Sequence, residues 1–307
     1  MRNNTNMQNY VYVSLERPTW DEVTGHDKPE GITGKATFDM EVTSEYLFVG
    51  DGRQDYCEHF KEAYYKFFRS KDQLTVPGTT LKGAVRSVAE AMSASCVSVR
   101  SRRDIWKPRE YPPCNVKKGE KNIRICPACR IFGTTNYRGH FSFSDASPSV
   151  DIEPEIVKIA ELWEPKRFIP QRKFYKSGLY AELKDQSPEK HYRYIEAVPK
   201  DSIFTFDLFF ENVQKSDLSL VFHSMGIGQG FKIKIGGAKP RCLGDVSFAV
   251  REIAVMDRLT VRKVGNPEEF INEKLTHKKL IKPERLKEFT EKITSKEPCI
   301  GRPSRWN

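Results

Sequence analysis

The sequence predicts an α+β fold in which a ferredoxin-like sheet carries large insertions. A strand–helix–strand pattern near the front of the chain and a second one near the back lead to this class. Alternating hydrophobicity in KATFDMEVTSEYLFV (35–49) and SIFTFDLFFE (202–211) indicates the longest strands. Two stretches without clear periodicity, at about 97–130 and 153–198, indicate the insertions, because irregular segments of this length are uncommon inside a compact domain.

The other strands of the front half follow from alternation and turn residues. Residues 10–15 (YVYVSL) alternate like an edge strand, and Gly50–Asp51–Gly52 is expected to end the long strand. Residues 53–63 are ambiguous and fit one helical turn. Residues 64–68 predict another strand, and a turn is expected at Lys71–Asp72.

A helix is expected after this turn. Thr79 and Thr80 are both suitable N-caps, and the helix should reach about Ser95. Its apolar residues recur at helical spacing, at Leu81, Val85, Val88 and Met92.

The back half completes the second strand–helix–strand pattern. Residues 139–145 (GHFSFSD) alternate as a strand, residues 215–225 predict a short helix, and residues 244–256 predict a further strand. The chain then becomes charged and amphipathic. We therefore expect one domain over residues 1–265 and a peripheral helical extension over residues 266–307.

Composition indicates a folded chain without a membrane span. Of the 307 residues, 38% are hydrophobic and 30% are charged, which is not the composition of a disordered protein. No run of about 18 apolar residues occurs, and the N-terminus MRNNTNMQNY lacks the apolar core of a signal peptide. We expect a cytoplasmic protein with no membrane partner.

The basic charge is concentrated in two stretches, which points to nucleic acid. The net charge is +10, and residues 97–125 hold nine Lys/Arg against three Asp/Glu. Residues 163–176 interleave cations, including Arg172 and Lys173, with aromatic side chains. Cations that can bind phosphates, next to aromatic side chains on which bases can stack, are typical of proteins that bind single-stranded nucleic acid. The alternative is a solvated loop with a few packed aromatics.

The spacing of the cysteines predicts a metal site. The chain has seven cysteines and no export signal, which argues against a disulfide framework. A Cys-x-x-Cys pair and two further cysteines within about 30 residues fit tetrahedral zinc coordination, and the preferred set is Cys96, Cys114, Cys126 and Cys129. His59 and Cys57 are the other options for the fourth ligand. No general base lies in CPACRIFG, so the zinc is expected to be structural and to stabilise a loop without its own core. A redox pair is the alternative.

A glycine-rich loop late in the chain, MGIGQGFKIKIGGAKPRCLGDVSF (225–248), carries further cations. Its glycines allow the backbone to approach phosphates, and the candidate contacts are Lys232, Lys234, Lys239 and Arg241. The loop is not a dinucleotide-binding motif, because it feeds a strand instead of opening a helix. A plain glycine-rich hairpin is the alternative.

The stretch VPGTTLKGAVR (76–86) predicts a helix start that holds a phosphate. Lys82 and Arg86 are four residues apart and therefore share a helix face, close to backbone N–H groups that attract anions. The order of a nucleotide-binding Walker loop is absent. The alternative is an ordinary capped helix with a solvated lysine.

These segments together resemble the RAMP superfamily of CRISPR systems. VPGTTLKGAVR resembles its turn–helix segment, and CPACRIFGTTNYRGHFSFSDA resembles the Cys-x-x-Cys and phenylalanine-strand segment of its type III backbone subunits. EAVPKDSIFTFDLFFEN is similar to the strand before their final half, and GGAKPRCLGDVSF to their C-terminal glycine-rich loop. Ile131 stands where the family usually has leucine. The resemblance runs from about Gly34 to Val250.

The resemblance implies a modified ferredoxin-like or RRM-like core with a zinc-stabilised insertion, a thumb-like extension at Trp163–Tyr194 and a C-terminal helical tail. It also implies a function, that of a crRNA-binding backbone subunit of a type III effector complex. The expected partners are crRNA, target RNA, other effector subunits and copies of the chain itself.

The resemblance implies that members cutting the paired target RNA use an aspartate between the first strand and the Pro-Gly turn, which helps a divalent metal ion or the RNA's own 2′-hydroxyl reach in-line attack. Here that loop reads GDGRQDYCEHFKEAYYKFF, and no position in it aligns clearly with the family aspartate. The candidate catalysts are Asp51, Asp55 and His59, with Arg53 as an RNA contact. Surface polar residues without a catalytic role are the alternative.

Two further functions stay open at this point. One is a stand-alone CRISPR RNA-processing endoribonuclease, which needs a histidine at a phosphate and has His26 or His59 for it. The other is a non-catalytic, zinc-stabilised capping subunit of the complex.

Overall fold

The fold is taken from a computed structural model, which describes residues 9–23, 25–27, 29–59, 61–97, 111–120, 122–162, 172–178, 190–257 and 260–294. Its strands are β1 (Tyr10–Val13), β2 (Asp21–Glu22), β3 (Ile32–Val42), β4 (Tyr46–Leu47), β5 (Gly50–Cys57), β6 (Glu62–Phe67), β7 (Arg69–Ser70), β8 (Gln73–Leu74), β9 (Arg124–Ile125), β10 (Phe141–Phe143), β11 (Ser147–Pro148), β12 (Glu155–Ala160), β13 (Arg172–Tyr175), β14 (Tyr192–Pro199), β15 (Ile203–Val213), β16 (Ile233–Lys234), β17 (Asp245–Asp257) and β18 (Thr260–Lys263). Its helices are α1 (Gly78–Met92), α2 (Pro127–Phe132), α3 (Lys215–Ser224), α4 (Pro267–Leu275) and α5 (Pro283–Ile293).

The central sheet has the strand order of a ferredoxin-like fold. Its strands lie in the order β10-β15-β3-β17-β16, with β11 added to β15 and β18 to β17. Helix α1 follows β3, and α3 connects β15 to β17, so the core reads β-α-β-β-α-β along the chain. The α+β class and the ferredoxin-like core predicted from the sequence are confirmed.

Alternation in β3 explains why the sheet has one buried face. Ala36, Phe38 and Met40 are fully buried, whereas the residues between them lie on the opposite face. The Phe38 ring packs 5.7 Å from Phe206 of β15 and 6.3 Å from Phe222 of α3, measured between ring centroids. The hydrophobic core therefore lies between this face and the helices.

A second sheet differs from the sequence-based expectation. Its strands lie in the order β12-β14-β6-β5, with β4 paired to β14. The prediction that Gly50–Asp51–Gly52 ends a strand is wrong, and so is the helical turn expected in residues 53–63, because β5 runs from Gly50 to Cys57. Pairing with β6 forms the strand, and a bulge between Gly50 and Gln54 absorbs the glycine-containing stretch.

Two other boundaries move for identifiable reasons. Strand β3 ends at Val42 instead of residue 49, because Ser44 lies in a bend where its Oγ accepts the N–H groups of Gly244 (2.9 Å) and Asp245 (3.0 Å). Helix α1 has Pro77 as its N-cap instead of a threonine, without a side-chain cap. Its first N–H group, on Gly78, donates to the Asp145 carboxylate at 2.8 Å.

The C-terminal helices contribute to the main core. Phe289 of α5 is 1% exposed, and its ring lies 5.0 Å from Phe174 and 5.2 Å from Phe231. Ile271 of α4 belongs to the same hydrophobic cluster. The domain division at residue 265 remains a prediction. None of the described helices is long and apolar enough to cross a membrane.

We expect Phe289→Ala to lower the free energy of unfolding by about 3–5 kcal/mol, because it removes a fully buried ring and leaves a cavity between two other rings. Urea denaturation followed by circular dichroism measures the change. Val261→Ala is the matched control: Val261 is 72% exposed, and its truncation should change the free energy by less than about 0.5 kcal/mol. Equal stability of the two variants would contradict the packing described for α5.

Candidate metal centre and basic cleft

Four buried cysteines converge at the end of α1. The sulfur atoms of Cys96, Cys114, Cys126 and Cys129 all lie within 4.8 Å of one another. Cys96 Sγ is 3.4 Å from Cys129 Sγ and 3.6 Å from Cys126 Sγ. These are the four residues selected from the sequence, and Cys57 and His59 do not belong to the group.

Local structure brings these cysteines together. Cys126 is the N-cap of α2, and Cys129 lies in the first turn of that helix. Cys114 comes from the basic insertion, and the N–H of Cys126 donates to its Sγ at 3.2 Å. The hydroxyl of Thr134 also holds the insertion by donating to the Cys114 carbonyl at 3.1 Å. The Cys-x-x-Cys pair therefore opens a helix, as a redox pair would, but two additional sulfurs complete the cluster.

The donor set fits a metal ion such as zinc. Tetrahedral coordination with Zn–S bonds of about 2.3 Å places sulfurs about 3.8 Å apart, close to the sulfur–sulfur distances observed. Hydrogen bonds with Cys114, Cys129 and Cys96 lower the pKa of the Cys126 thiol, whereas hydrogen bonds with Cys114, followed by Cys126, raise the pKa values of the Cys96 and Cys129 thiols. Four thiolates would complete the coordination shell without an open position, which is the arrangement of a structural site.

Arg86 connects this cluster to a buried carboxylate. Its guanidinium group donates to Cys129 Sγ at 3.4 Å, to the Gly133 carbonyl at 2.8 Å and, through Nε, to Glu90 Oε1 at 2.9 Å. A cation beside ligating thiolates offsets their charge. These contacts use the guanidinium inside the protein, which argues against the sequence-based role of Arg86 as a phosphate ligand.

Glu90 extends the connection to Arg172 of β13. The Glu90 side chain is fully buried, and its Oε2 lies 3.4 Å from Arg172 Nη1. Arg172 Nη2 also donates to Ser87 Oγ at 2.7 Å. A buried carboxylate between two guanidinium groups is compensated, whereas removal of its charge leaves two cations unpaired. The contacts thus run from Cys129 through Arg86 and Glu90 to Arg172.

Arg172 lies in the wall of a cleft of about 360 Å³, which we call the basic cleft. Its walls are α1, β13 and the glycine-rich segment 231–239, with Phe289 from α5. The described residues that line it include no carboxylate, and its cations are Arg172, Lys173, Lys232, Lys234 and Lys239. Helix α1 presents small side chains to the cleft, at Thr79, Thr80, Gly83, Ala84 and Ser87.

The cations of the basic cleft differ in accessibility. Lys232 is exposed, and Lys173 places its ammonium group 3.9 Å from the centre of the Tyr10 ring. Burial, with a smaller contribution from Arg172, lowers the pKa of Lys239 to about 8. Two neighbouring cations that repel each other favour a bound anion.

Two of the cations predicted in the glycine-rich loop form contacts inside the protein. Lys234 Nζ lies 3.0 Å from Asp245 Oδ1, and both side chains are almost fully buried. The guanidinium group of Arg241 donates to the carbonyls of Ala160, at 2.9 Å, and Glu161. These bonds fix the loop to β17 and to the end of β12, which argues against Lys234 and Arg241 as phosphate ligands.

A second hollow of about 370 Å³ meets the basic cleft, because both are lined by Thr80 and Gly236. Gly236 has a φ of +74°, and a Cβ there would lie 2.1 Å from the Phe48 carbonyl oxygen. A glycine is therefore required where the two hollows join. The close approach here is to the protein's own backbone, and the approach to phosphates for which the sequence selected the glycine-rich loop stays a prediction.

Lys82 does share a face of α1 with Arg86, but neither residue lines the basic cleft. The cleft face is the one that carries Thr80, Ala84 and Ser87. Burial, with Arg86 second, lowers the pKa of Lys82. Its contact with RNA stays a prediction.

The candidate catalysts lie on the hairpin formed by β5 and β6. Asp51 Oδ1 accepts the N–H of Arg53 at 2.8 Å, and Asp55 pairs with Lys66 at 3.1 Å. The N–H of Tyr56, followed by Lys66, lowers the pKa of Asp55. His59 lies in the turn of the hairpin. Within the described ranges the four cysteines are the group that could hold a metal ion, so a divalent ion at this hairpin stays a prediction.

His26, the other candidate for RNA processing, stacks on a second histidine. The rings of His26 and His140 are 4.3 Å apart with an interplanar angle of 20°. His140 bonds to the Tyr137 hydroxyl and to the Glu211 carbonyl, both at 2.7 Å. These contacts hold both rings against the end of β15, and the processing role stays a prediction.

Sequence reasoning missed two residues that organise this region. Glu90 has a local signal, since it is a charged residue between Ala89 and Ala91 in the buried part of α1. Asp145, which accepts the first N–H of α1, has none, because 67 residues separate it from Gly78.

The fold and these two features define a basic, ferredoxin-like protein with a buried cluster of four cysteines that could hold a metal ion. The chain belongs to the RAMP superfamily, whose family model matches residues 39–244, more than half of its length. Membership assigns it a CRISPR-associated role in RNA binding, in a family whose proteins bind CRISPR RNA and act in complexes. No individual curated protein matches the chain.

We expect Cys126→Ser to abolish metal binding, because the cluster would lose one of its four thiolates. Elemental analysis should show about one metal ion per chain in the unsubstituted protein and almost none in the variant. The melting temperature should fall by about 10 °C or more. Cys57→Ser, at a free cysteine outside the cluster, is the control. A variant that retains the metal would exclude Cys126 as a ligand.

Glu90→Gln should lower the free energy of unfolding by about 3–5 kcal/mol, because it removes the charge that compensates Arg86 and Arg172. Chemical denaturation measures this. Glu252→Gln removes an exposed partner of Lys263 and should cost less than about 1 kcal/mol. If the two substitutions have the same effect, the Glu90 carboxylate does not stabilise this network.

Proposed function

We propose that this chain is a guide-RNA-binding subunit of a type III CRISPR effector complex and that the basic cleft holds the RNA backbone. The observation that carries the proposal is the set of cations around the cleft, with no carboxylate among the described residues that line it. Most of the affinity of such a surface for RNA comes from neutralised phosphates.

The shape of the basic cleft supports a backbone ligand. The hydroxyls of Thr79 and Thr80 supply polar contacts along the wall formed by α1. Phe174 and Tyr175 add aromatic side chains next to the cations. From the sequence-based set, Lys232, Lys239, Arg172 and Lys173 are therefore the proposed RNA contacts, with Arg172 also held by Glu90.

We further propose that the metal of the cysteine cluster is zinc with a structural role. The cluster holds the basic insertion against α1, and Arg86 and Glu90 connect it to Arg172 in the cleft wall. When bound, zinc supplies charge that allows the buried sulfurs to ionise. Arg86 and Glu90 then keep Arg172, and with it the cleft wall, in place.

Cleavage of target RNA by Asp51, Asp55 and His59 stays a prediction, as do an RNA contact at Arg53, the processing endoribonuclease and the capping subunit. The ion pair of Asp55 and the internal hydrogen bond of Asp51 are also what a structural hairpin would show. The geometry favours binding over these alternatives.

Replacement of Lys232 and Lys239 together by alanine should weaken guide-RNA binding about tenfold and reduce the slope of log K against log salt by about 2, one unit for each lost phosphate contact. Fluorescence anisotropy over a salt series measures both. The matched control replaces two exposed lysines outside the cleft, Lys263 and Lys287. An unchanged slope in the cleft variant would exclude the cleft as the RNA site.

RNA affinity should fall between pH 7 and pH 9, because Lys239, with a pKa of about 8, loses its proton over this range and the cleft loses a positive charge. We expect a decrease of about threefold to tenfold. In Lys239→Arg the charge persists, so its affinity should stay constant over the same range. If RNA affinity falls equally with pH in both proteins, Lys239 is not the group whose deprotonation weakens binding.

A further inference from the structure

The second sheet carries aromatic side chains that the basic cleft does not use. Strand pairing places Lys158 opposite Tyr194, Tyr194 opposite Tyr64, and Tyr64 opposite Asp55. Residues paired in this way lie on the same face of a sheet. Four strands thus present these side chains in one row, and Tyr192 lies in the next row. We call this surface, with Tyr64, Tyr192, Tyr194, Lys158 and Lys66, the tyrosine face.

The tyrosine face is directed away from the protein body. The opposite face of the sheet places Ile159 and Ile195 against Ala238 and Leu243, in a separate buried cluster. Ile195 is 1% exposed, whereas its neighbour Tyr194 is only half-buried. The sheet therefore has one face that packs on the glycine-rich segment and one face that carries aromatic rings at the surface.

The rings are held in fixed positions. Tyr192 and Tyr194 pack edge to face with centroids 5.7 Å apart. Lys158 Nζ lies 3.9 Å from the centre of the Tyr192 ring, and the Tyr192 hydroxyl donates to Glu62 Oε1 at 2.6 Å. Aromatic groups that are already ordered lose little conformational entropy when a base stacks on them.

The charges on this face are balanced. Asp55 pairs with Lys66 at 3.1 Å, and Glu196 accepts two bonds from Arg69 at 2.6 and 2.7 Å. Glu62 accepts the Tyr192 hydroxyl. Such a surface has little excess charge to attract phosphates, unlike the basic cleft. Its ligand should therefore contact it through uncharged aromatic faces.

We propose that the tyrosine face is a second RNA-binding surface, on which unpaired bases of single-stranded RNA stack. The proposal rests on the RNA-binding function proposed above. Every base has an aromatic face, so this contact tolerates sequence variation. The basic cleft then binds the phosphates of the RNA, and the rings of the tyrosine face bind its unstacked bases.

The test compares Tyr64→Leu/Tyr194→Leu with Tyr64→Phe/Tyr194→Phe in the full chain. The ligand is a fluorescein-labelled, single-stranded RNA of mixed sequence. Leucine removes the aromatic rings, and we expect about tenfold weaker binding with an unchanged salt slope. Phenylalanine retains the rings, and its affinity should remain within about twofold of the unsubstituted protein.

The salt series separates this proposal from the proposed function. Suppose that the Leu variant binds RNA normally, while the cleft variant loses affinity and has a smaller slope of log K against log salt. In that case the tyrosine face does not bind RNA, and the basic cleft does. If neither variant differs from the unsubstituted protein, both proposals fail. A Leu variant with altered self-association and normal RNA affinity would show that the face contacts protein, which also overturns the proposal.

Photo-cross-linking of 4-thiouridine RNA to the unsubstituted protein keeps the proposal testable should the Leu variant not fold. Cross-linked peptides that contain Tyr64, Tyr192 or Tyr194 would support it. Cross-links confined to peptides of the basic cleft would refute it.

Discussion

The ion pairs of the buried Glu90 carboxylate are the interaction on which both the cysteine cluster and the basic cleft depend. The carboxylate lies between the guanidinium groups of Arg86 and Arg172, and those two groups belong to different regions. Arg86 contacts the cysteine cluster, and Arg172 lines the basic cleft. Two cations brought this close repel each other unless an anion separates them. One charge in α1 therefore allows the cysteine cluster and the basic cleft to lie side by side.

Helix α1 has this central position because of the order of the ferredoxin-like sheet. The helix follows β3, the strand between β15 and β17, and packs on the buried face of the sheet. One side of α1 then supplies core residues such as Leu81 and Val85. The remaining surface is divided between the basic cleft and the cysteine cluster, so three environments meet on a single helix.

Elements with strong local signals were predictable from the sequence. Alternation located β10 and β15, helical periodicity located α1, and cysteine spacing selected all four members of the cluster. The hairpin strand β5 was not predictable in this way. It is polar and contains glycine, and pairing with β6, together with a bulge, makes it a strand. Whether a polar segment such as β5 forms a strand depends on the strand with which it pairs, and the sequence alone does not show that pairing.

The cations show which properties follow from the sequence and which depend on the tertiary structure. The sequence by itself determined the fold class, the four cysteines that cluster and which segments concentrate positive charge. These follow from periodicity, residue chemistry and spacing. Only the tertiary structure decided which of these cations are exposed, because Lys234 and Arg241 are ion-paired or hydrogen-bonded inside the protein, whereas the Lys232 side chain is exposed. Tertiary pairing also aligned Tyr64 with Tyr194, residues 130 positions apart in the chain, on one face of a sheet.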